Sequence, residues 1–137
     1  CLNSGSSWNN CDFETNLCKV LPDFSLQPGW IRRNGHSGMG PPYSDHNGNE
    51  SAYFLSLSSE MQSSSAALRT NVFLPTDGHL CQIRFYYWVS QMSGTLMVGL
   101  QKHSEDTVTN IWRVSGERQN QWNVNTITIN STEEYEV

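Results

Sequence analysis

The stretch CQIRFYYWV, residues 81–89, decides the fold because the character of its side chains alternates along the chain. The residues at its odd-numbered positions are all apolar, namely Cys81, Ile83, Phe85, Tyr87 and Val89. Successive side chains of an extended strand point to opposite faces, so this period of two predicts a β-strand with one buried face. A second alternating run, at residues 96–100, follows the turn-forming residues 92–94, and the two runs together predict a β-hairpin.

Shorter apolar runs predict further strands on both sides of this hairpin. They cover residues 51–57, 66–72, 110–114, 122–130 and 134–137. Turn-forming residues separate the runs, and no long segment has the periodicity of a helix. Many short strands without helices predict an all-β fold, a two-sheet β-sandwich with loops at its ends.

The composition is that of one folded domain. A length of 137 residues suits a single domain, and 11% aromatic residues argue against disorder. The net charge of -5 would repel polyphosphate, so we expect no nucleic-acid partner. No stretch approaches the roughly 18–20 apolar residues of a membrane span, so we expect contact with a membrane only through a host protein.

Four cysteines predict disulfide bonds. They are Cys1, Cys11, Cys18 and Cys81, and no two of them form a C-x-x-C pair that would suggest a zinc site. Four cysteines allow three pairings, and the short loop between Cys11 and Cys18 is easy to close. Cys81 would then pair with Cys1 or with a cysteine outside this sequence.

Two N-glycosylation sequons agree with the oxidising compartment that disulfides need. Asn49 begins Asn-Glu-Ser, and Asn130 begins Asn-Ser-Thr. Disulfides and sequons together predict an extracellular or cell-surface location.

The loop at residues 34–49 is unusually long for a compact domain and sets Asp45 beside His46. Neighbouring residues of an extended segment point apart, whereas a catalytic triad brings its aspartate from elsewhere in the chain. We therefore interpret Asp45 and His46 as scaffold residues that close the loop. The nearby GHSGM lacks the last glycine of a G-x-S-x-G nucleophile elbow, and we expect no enzyme.

Three carboxylates are candidate ligands of a structural Ca²⁺ ion, because calcium prefers oxygen ligands gathered from separate loops. They are Asp12, Glu14 and Asp45. The alternative is that Asp45 accepts backbone N–H groups of its own loop, as in an Asx turn.

Trp88 is a candidate contact residue. The alternation places Trp88 opposite the face that carries Phe85, Tyr87 and Val89. This position predicts an exposed tryptophan that contacts a partner or a neighbouring module.

Seven motifs occur in order between residues 11 and 137: CDFETNLC, GPPYSDHNGNESAYF, SSSAALRTNVF, CQIRFYYWVSQMSGTLMVGLQ, IWRVSG, QWN and EYEV. Together they resemble the MAM domain, which is named after meprin, the neuropilin-type antigen and receptor tyrosine phosphatase mu. The resemblance implies a jelly-roll-like β-sandwich stapled by disulfides.

The resemblance also implies disulfide pairs and domain limits. It implies a bond between Cys11 and Cys18, and it matches Cys81 to a cysteine whose partner lies in a segment beyond Val137. Cys1 would then tie the domain to an upstream module, unless it replaces that partner. Residues 1–10 would be an upstream linker, and residues 11–137 a MAM-like domain without its C-terminal strand or strands.

The function implied by the resemblance is that of a non-catalytic extracellular module in a mosaic membrane or secreted protein. Such a module mediates homophilic contact, dimerisation or the positioning of neighbouring modules, so its partners are proteins or a second copy. One alternative is an accessory domain of a meprin-like or enteropeptidase-like membrane protease that shapes substrate access or oligomerisation. Another is a calcium-dependent, glycan-binding sandwich.

Overall fold

A computed structural model describes residues 1, 10–18, 20–22, 29–57, 65–90, 94–115 and 120–137. In these ranges the chain forms nine β-strands and one 3₁₀ turn, so the predicted all-β class is confirmed. The strands are β1 (Leu21–Pro22), β2 (Trp30–Arg33), β3 (Phe54–Leu57), β4 (Leu68–Arg69), β5 (Cys81–Tyr87), β6 (Thr95–Lys102), β7 (Thr109–Ser115), β8 (Asn123–Ile129) and β9 (Tyr135–Glu136). The turn is Gly35–Ser37. None of the described segments is a helix long and apolar enough to cross a membrane.

All strand pairs are antiparallel. β5 pairs with β8 along its whole length, with Cys81 opposite Ile129 and Tyr87 opposite Asn123. β6 lies between β7 and β9, and a single bridge joins Phe73 to Tyr135 of β9. β1 pairs with β4, and β2 pairs with β3.

The predicted hairpin between residues 81–89 and 96–100 is wrong, although both runs are strands. β5 takes β8 as its partner, whereas β6 takes β7 and β9 in a different sheet. The chain therefore crosses from one sheet to the other between β5 and β6. Alternation indicates only that a strand has one buried face. β5 and β6 both have such a face, but they lie in different sheets on opposite sides of the core.

The core lies between these two sheets. Its buried residues are Phe73, Cys81, Leu100, Ile129 and Tyr135. Across the core, the rings of Phe85 and Tyr87 lie 5.1 and 5.0 Å from the ring of Trp112 in β7. Aromatic pairs at such distances and steep angles contribute about 0.5–1.5 kcal/mol beyond the burial of their area. Period-two packing of β5 thus produces a two-layer sandwich.

Two disulfides close loops of different length. Cys11 bonds to Cys18, seven positions away, and Cys1 bonds to Cys81, 80 positions away. Of the two partners that the sequence left open for Cys81, the structure has Cys1, whereas the family resemblance implied a residue beyond Val137. The Cys81 sulfur is buried and lies 3.0 Å from the hydroxyl of Tyr135. The longer disulfide therefore reaches the centre of the core.

We expect removal of the Cys1–Cys81 bond to cost more stability than removal of the Cys11–Cys18 bond. Loop-closure entropy gives about 4.5 kcal/mol for the Cys1–Cys81 bond and about 2.4 kcal/mol for the Cys11–Cys18 bond. Urea unfolding of the double variants Cys1→Ala/Cys81→Ala and Cys11→Ala/Cys18→Ala would measure both losses. Equal losses would contradict the larger contribution assigned to the Cys1–Cys81 bond.

Candidate functional site

One buried arginine at the end of β2 organises the long loop, residues 34–50. Arg33 is only 5% exposed, and its guanidinium lies 4.7 Å from the centre of the Phe54 ring. Its two Nη atoms donate to four oxygens at 3.0–3.3 Å, namely Ser37 Oγ and the carbonyls of Gly40, Pro41 and Pro42. A single side chain therefore holds the loop backbone against β2 and β3.

Burial of this charge is costly, and the loop offsets the cost. Desolvation lowers the pKa of the Arg33 guanidinium from its ordinary value, because removal from water disfavours the charged form. Hydrogen bonds to charged donors contribute about 1.5–3 kcal/mol each, and four oxygens surround this cation. Within the described residues, Arg33 Nε is buried without a partner. The loop is thus built around the arginine.

Gly35 joins the two ends of the loop. Its amide donates to the carbonyl of Glu50 at 2.9 Å. A Cβ atom at Gly35 would collide with the carbonyl of Tyr43, a backbone group that has little freedom to move. Only glycine permits this close approach of two backbone segments.

Asp45 braces the far end of the same loop. Its Oδ1 accepts the amides of Asn47 at 2.9 Å and Asn49 at 2.8 Å. The backbone of Asp45 also exchanges hydrogen bonds with Gly48 and Asn49. This is the local carboxylate-to-amide bonding of an Asx turn.

His46 packs its ring on the β5–β8 pair. Its ring stacks on Tyr86 of β5 with 3.7 Å between centroids and lies 6.5 Å from Trp122. The Trp122 indole N–H donates to the carbonyl of Ser44 at 2.9 Å. The loop is therefore docked on the β5–β8 pair by aromatic contacts and one hydrogen bond.

This arrangement does not align Asp45 and His46 for catalysis. The carboxylate binds amides, whereas the imidazole binds an aromatic ring. Another imidazole, His36, lies 3.4 Å from the hydroxyl of Ser51. In the described part of the chain no carboxylate orients His36, so the third group of a triad is missing there.

Trp88 differs from its sequence prediction. It is half-buried rather than exposed, its ring lies 6.1 Å from Trp122, and its indole N–H is enclosed. β5 ends at Tyr87, so the alternation of the strand does not extend to Trp88. The side chain therefore turns toward the aromatic cluster beneath the loop.

The short disulfide ring docks on β2 and on the segment before β3. Arg32 donates to the carbonyls of Phe13 and Glu14, and its guanidinium lies 3.6 Å above the ring of Tyr53. Glu14 Oε1 accepts the Tyr53 amide at 3.0 Å, and Asp12 Oδ1 accepts the Glu14 amide at 3.0 Å. The Glu14 side chain thus docks the ring, whereas the Asp12 side chain braces the ring from within.

The three predicted calcium ligands do not come together. Asp12 and Glu14 belong to the disulfide ring, whereas Asp45 belongs to the long loop, and each accepts a backbone amide. Nowhere in the described ranges do three His, Cys, Asp or Glu side chains lie close enough to share a metal ion. Calcium needs about six to eight oxygen ligands. The trio does not fit that ion.

Both sequon asparagines are exposed. Asn49 Oδ1 accepts the Ser51 amide at 3.0 Å, and Asn130 Oδ1 accepts the Thr76 hydroxyl at 3.2 Å. Asn49 lies in the long loop, and Asn130 directly follows β8. The two sequons therefore mark different parts of the surface.

Large apolar side chains on the loop surface were missed by sequence reasoning. Met39 is 45% exposed and Tyr43 is 62% exposed. The loop has no periodicity from which their exposure could be read. The structural importance of Arg33 was also missed. The sequence signal for it was an arginine placed directly before a loop rich in glycine and proline.

The chain matches the model of a known protein family. Residues 11–137 match the family model described as MAM domain, meprin/A5/mu. The match spans nearly the whole chain.

We expect Arg33→Met to lower the free energy of unfolding by about 2–3 kcal/mol, because it leaves the partly buried and buried carbonyls of the loop unpaired. The matched control is Arg113→Met at an exposed position of β7, expected to change stability by at most about 0.5 kcal/mol. Urea unfolding gives both values, and amide hydrogen exchange should show faster opening of residues 34–50 only in the Arg33 variant. Unchanged exchange in these residues would refute the assignment.

Proposed function

This chain belongs to the MAM domain family, and from that premise we propose that it holds two copies of its host protein together outside the cell. MAM domains are extracellular, adhesion-type modules with no catalytic role of their own. The two disulfides fit an oxidising compartment. The proposal is therefore a homophilic contact between folded modules.

The observation that carries the proposal is a rigid loop with exposed apolar side chains. Four hydrogen bonds from Arg33 fix the backbone that presents Met39 and Tyr43. Tyrosine and methionine are enriched at protein interfaces, and a fixed loop loses little entropy on binding. Exposed apolar residues on a flexible loop would not offer this advantage.

The docking of the loop on β5 and β8 supports the same role. His46 on Tyr86 and the bond from Trp122 to Ser44 fix the loop from its second side. A contact surface held at both ends presents one shape to a partner. The contact as proposed uses no calcium, since Asp12, Glu14 and Asp45 do not form a cluster among the described residues.

We expect the isolated chain to self-associate in a concentration series followed by sedimentation velocity. Tyr43→Ala should weaken this association about tenfold, because an exposed tyrosine at the centre of a contact typically carries much of its energy. Met97→Ala is the matched control, since Met97 is 60% exposed on β6, away from the loop. A chain that stays monomeric at every concentration would sink the proposal, as would equal effects of the two variants.

We also propose that Asn49 and Asn130 both carry N-glycans. Both are exposed within intact sequons, and each modification adds polar bulk to the module. For the chain secreted from a eukaryotic host, intact mass before and after glycosidase digestion should show two glycans. Asn49→Gln and Asn130→Gln should each remove one, whereas Asn71→Gln, outside any sequon, should remove none. An unmodified mass for the secreted chain would contradict this.

A further inference from the structure

The outer face of the β5–β8 pair carries a single cation. This face is formed by the exposed residues Gln82, Arg84, Tyr86, Val124, Thr126 and Thr128. Arg84 is its only charged member, and the other five are amide, hydroxyl, aromatic or apolar side chains. The face thus combines one positive charge with neutral hydrogen-bonding groups in a chain whose net charge is -5.

The Arg84 guanidinium is held in place without being neutralised. Its Nη2 donates to the hydroxyl of Tyr86 at 3.2 Å, and it lies 5.6 Å from the centre of that ring. His46 stacks on the same ring at 3.7 Å, so the three side chains form a ladder. In the part of the chain that the structure describes, Arg84 forms no ion pair. The carboxylate of Asp45, the neighbour of His46 in sequence, accepts the amides of its own loop.

Such a guanidinium suits a carboxylate ligand. Arginine offers a planar pair of donors that matches a carboxylate, and prior ordering lowers the entropy cost of binding. Opposite Arg84 in the ladder of strands lies Thr126, and Gln82 lies opposite Thr128 at a hydrogen-bond distance of 3.3 Å. These neutral groups can bond to hydroxyls around the carboxylate. Val124, opposite Tyr86 and 48% exposed, offers an apolar contact.

The number of charges selects among anionic partners. An acidic peptide carries several carboxylates and would need several cations, and a polyphosphate would need more. One cation among hydroxyls and amides matches a ligand with one carboxylate and many hydroxyls. A sialic acid, an acidic sugar that terminates many extracellular glycans, has this composition. We propose that the β5–β8 outer face binds the terminal sialic acid of a glycan through Arg84, beyond the protein contact described above.

The ligand position follows from the free edge of Arg84. Tyr86 already contacts His46 and Arg84, so its ring and hydroxyl hold the Arg84 guanidinium in place. The carboxylate binds the remaining guanidinium N–H groups, and sugar hydroxyls bind Gln82 and Thr126. An exposed ion pair contributes only modestly by itself, so even with the hydroxyl and apolar contacts we expect an affinity no tighter than the order of millimolar. Binding needs no calcium.

The test titrates the ¹⁵N-labelled full chain with 3′-sialyllactose and, separately, with lactose, both in the presence of a chelator. We expect amide shifts in β5 and β8 with sialyllactose only. Arg84→Gln should weaken binding at least about tenfold, and Arg84→Lys should weaken it less, because lysine keeps the charge but not the paired donors. The matched control Arg113→Gln, on the exposed side of β7, should bind as the unmodified chain does.

Three results would overturn the inference. They are equal shifts with lactose, unchanged sialyllactose binding in Arg84→Gln, and shifts produced by a glutamate-rich peptide but not by sialyllactose. The last result would make the face a protein-binding surface. Every substituted residue is exposed, so we expect each variant to keep its fold. Circular dichroism of each variant checks this. Self-association through Tyr43 is measured separately, so either proposal can fail alone.

Discussion

The contact of Phe85 and Tyr87 with Trp112 holds the two sheets of this domain face to face. It depends on the strict alternation of β5, which sends odd-numbered side chains into the core and even-numbered ones to the surface. The surface residues Arg84 and Tyr86 therefore owe their spacing to the core residues between them. A shift of one residue in the pairing with β8 would exchange core and surface along the whole strand.

Arginines next to aromatic rings recur in this fold with three different outcomes. Arg33 is buried and binds its own loop, Arg32 is half-buried and binds the short disulfide ring, and Arg84 is exposed. Their rings are Phe54, Tyr53 and Tyr86 respectively. The two less exposed guanidinium groups are surrounded by backbone carbonyls, whereas the exposed one keeps donors for solvent or a ligand. The degree of burial thus separates structural from binding roles for one residue type.

The strands were predictable from sequence because the side chains of a half-buried strand repeat every two residues. β3, β4, β5, β8 and β9 fall within predicted runs, whereas β6 and β7 extend one or two residues beyond theirs at each end. Their pairing was not predictable, since alternation carries no information about the neighbour, and the expected hairpin was wrong. The predicted exposure of Trp88 was wrong because β5 ends one residue earlier, at Tyr87. The three carboxylates predicted as calcium ligands do not lie together among the described residues, because their positions depend on how the loops fold. The surface of the long loop lacked any periodic signal.

The bond between Cys1 and Cys81 also determines how the module carries mechanical load. Tension applied at the N-terminal end passes through the sulfur atoms into the first residue of β5, in the middle of the core. The long loop with Met39 and Tyr43 lies between the two cysteines in the sequence and is therefore shielded from that tension. A contact made by this loop would keep its shape while the host chain is pulled.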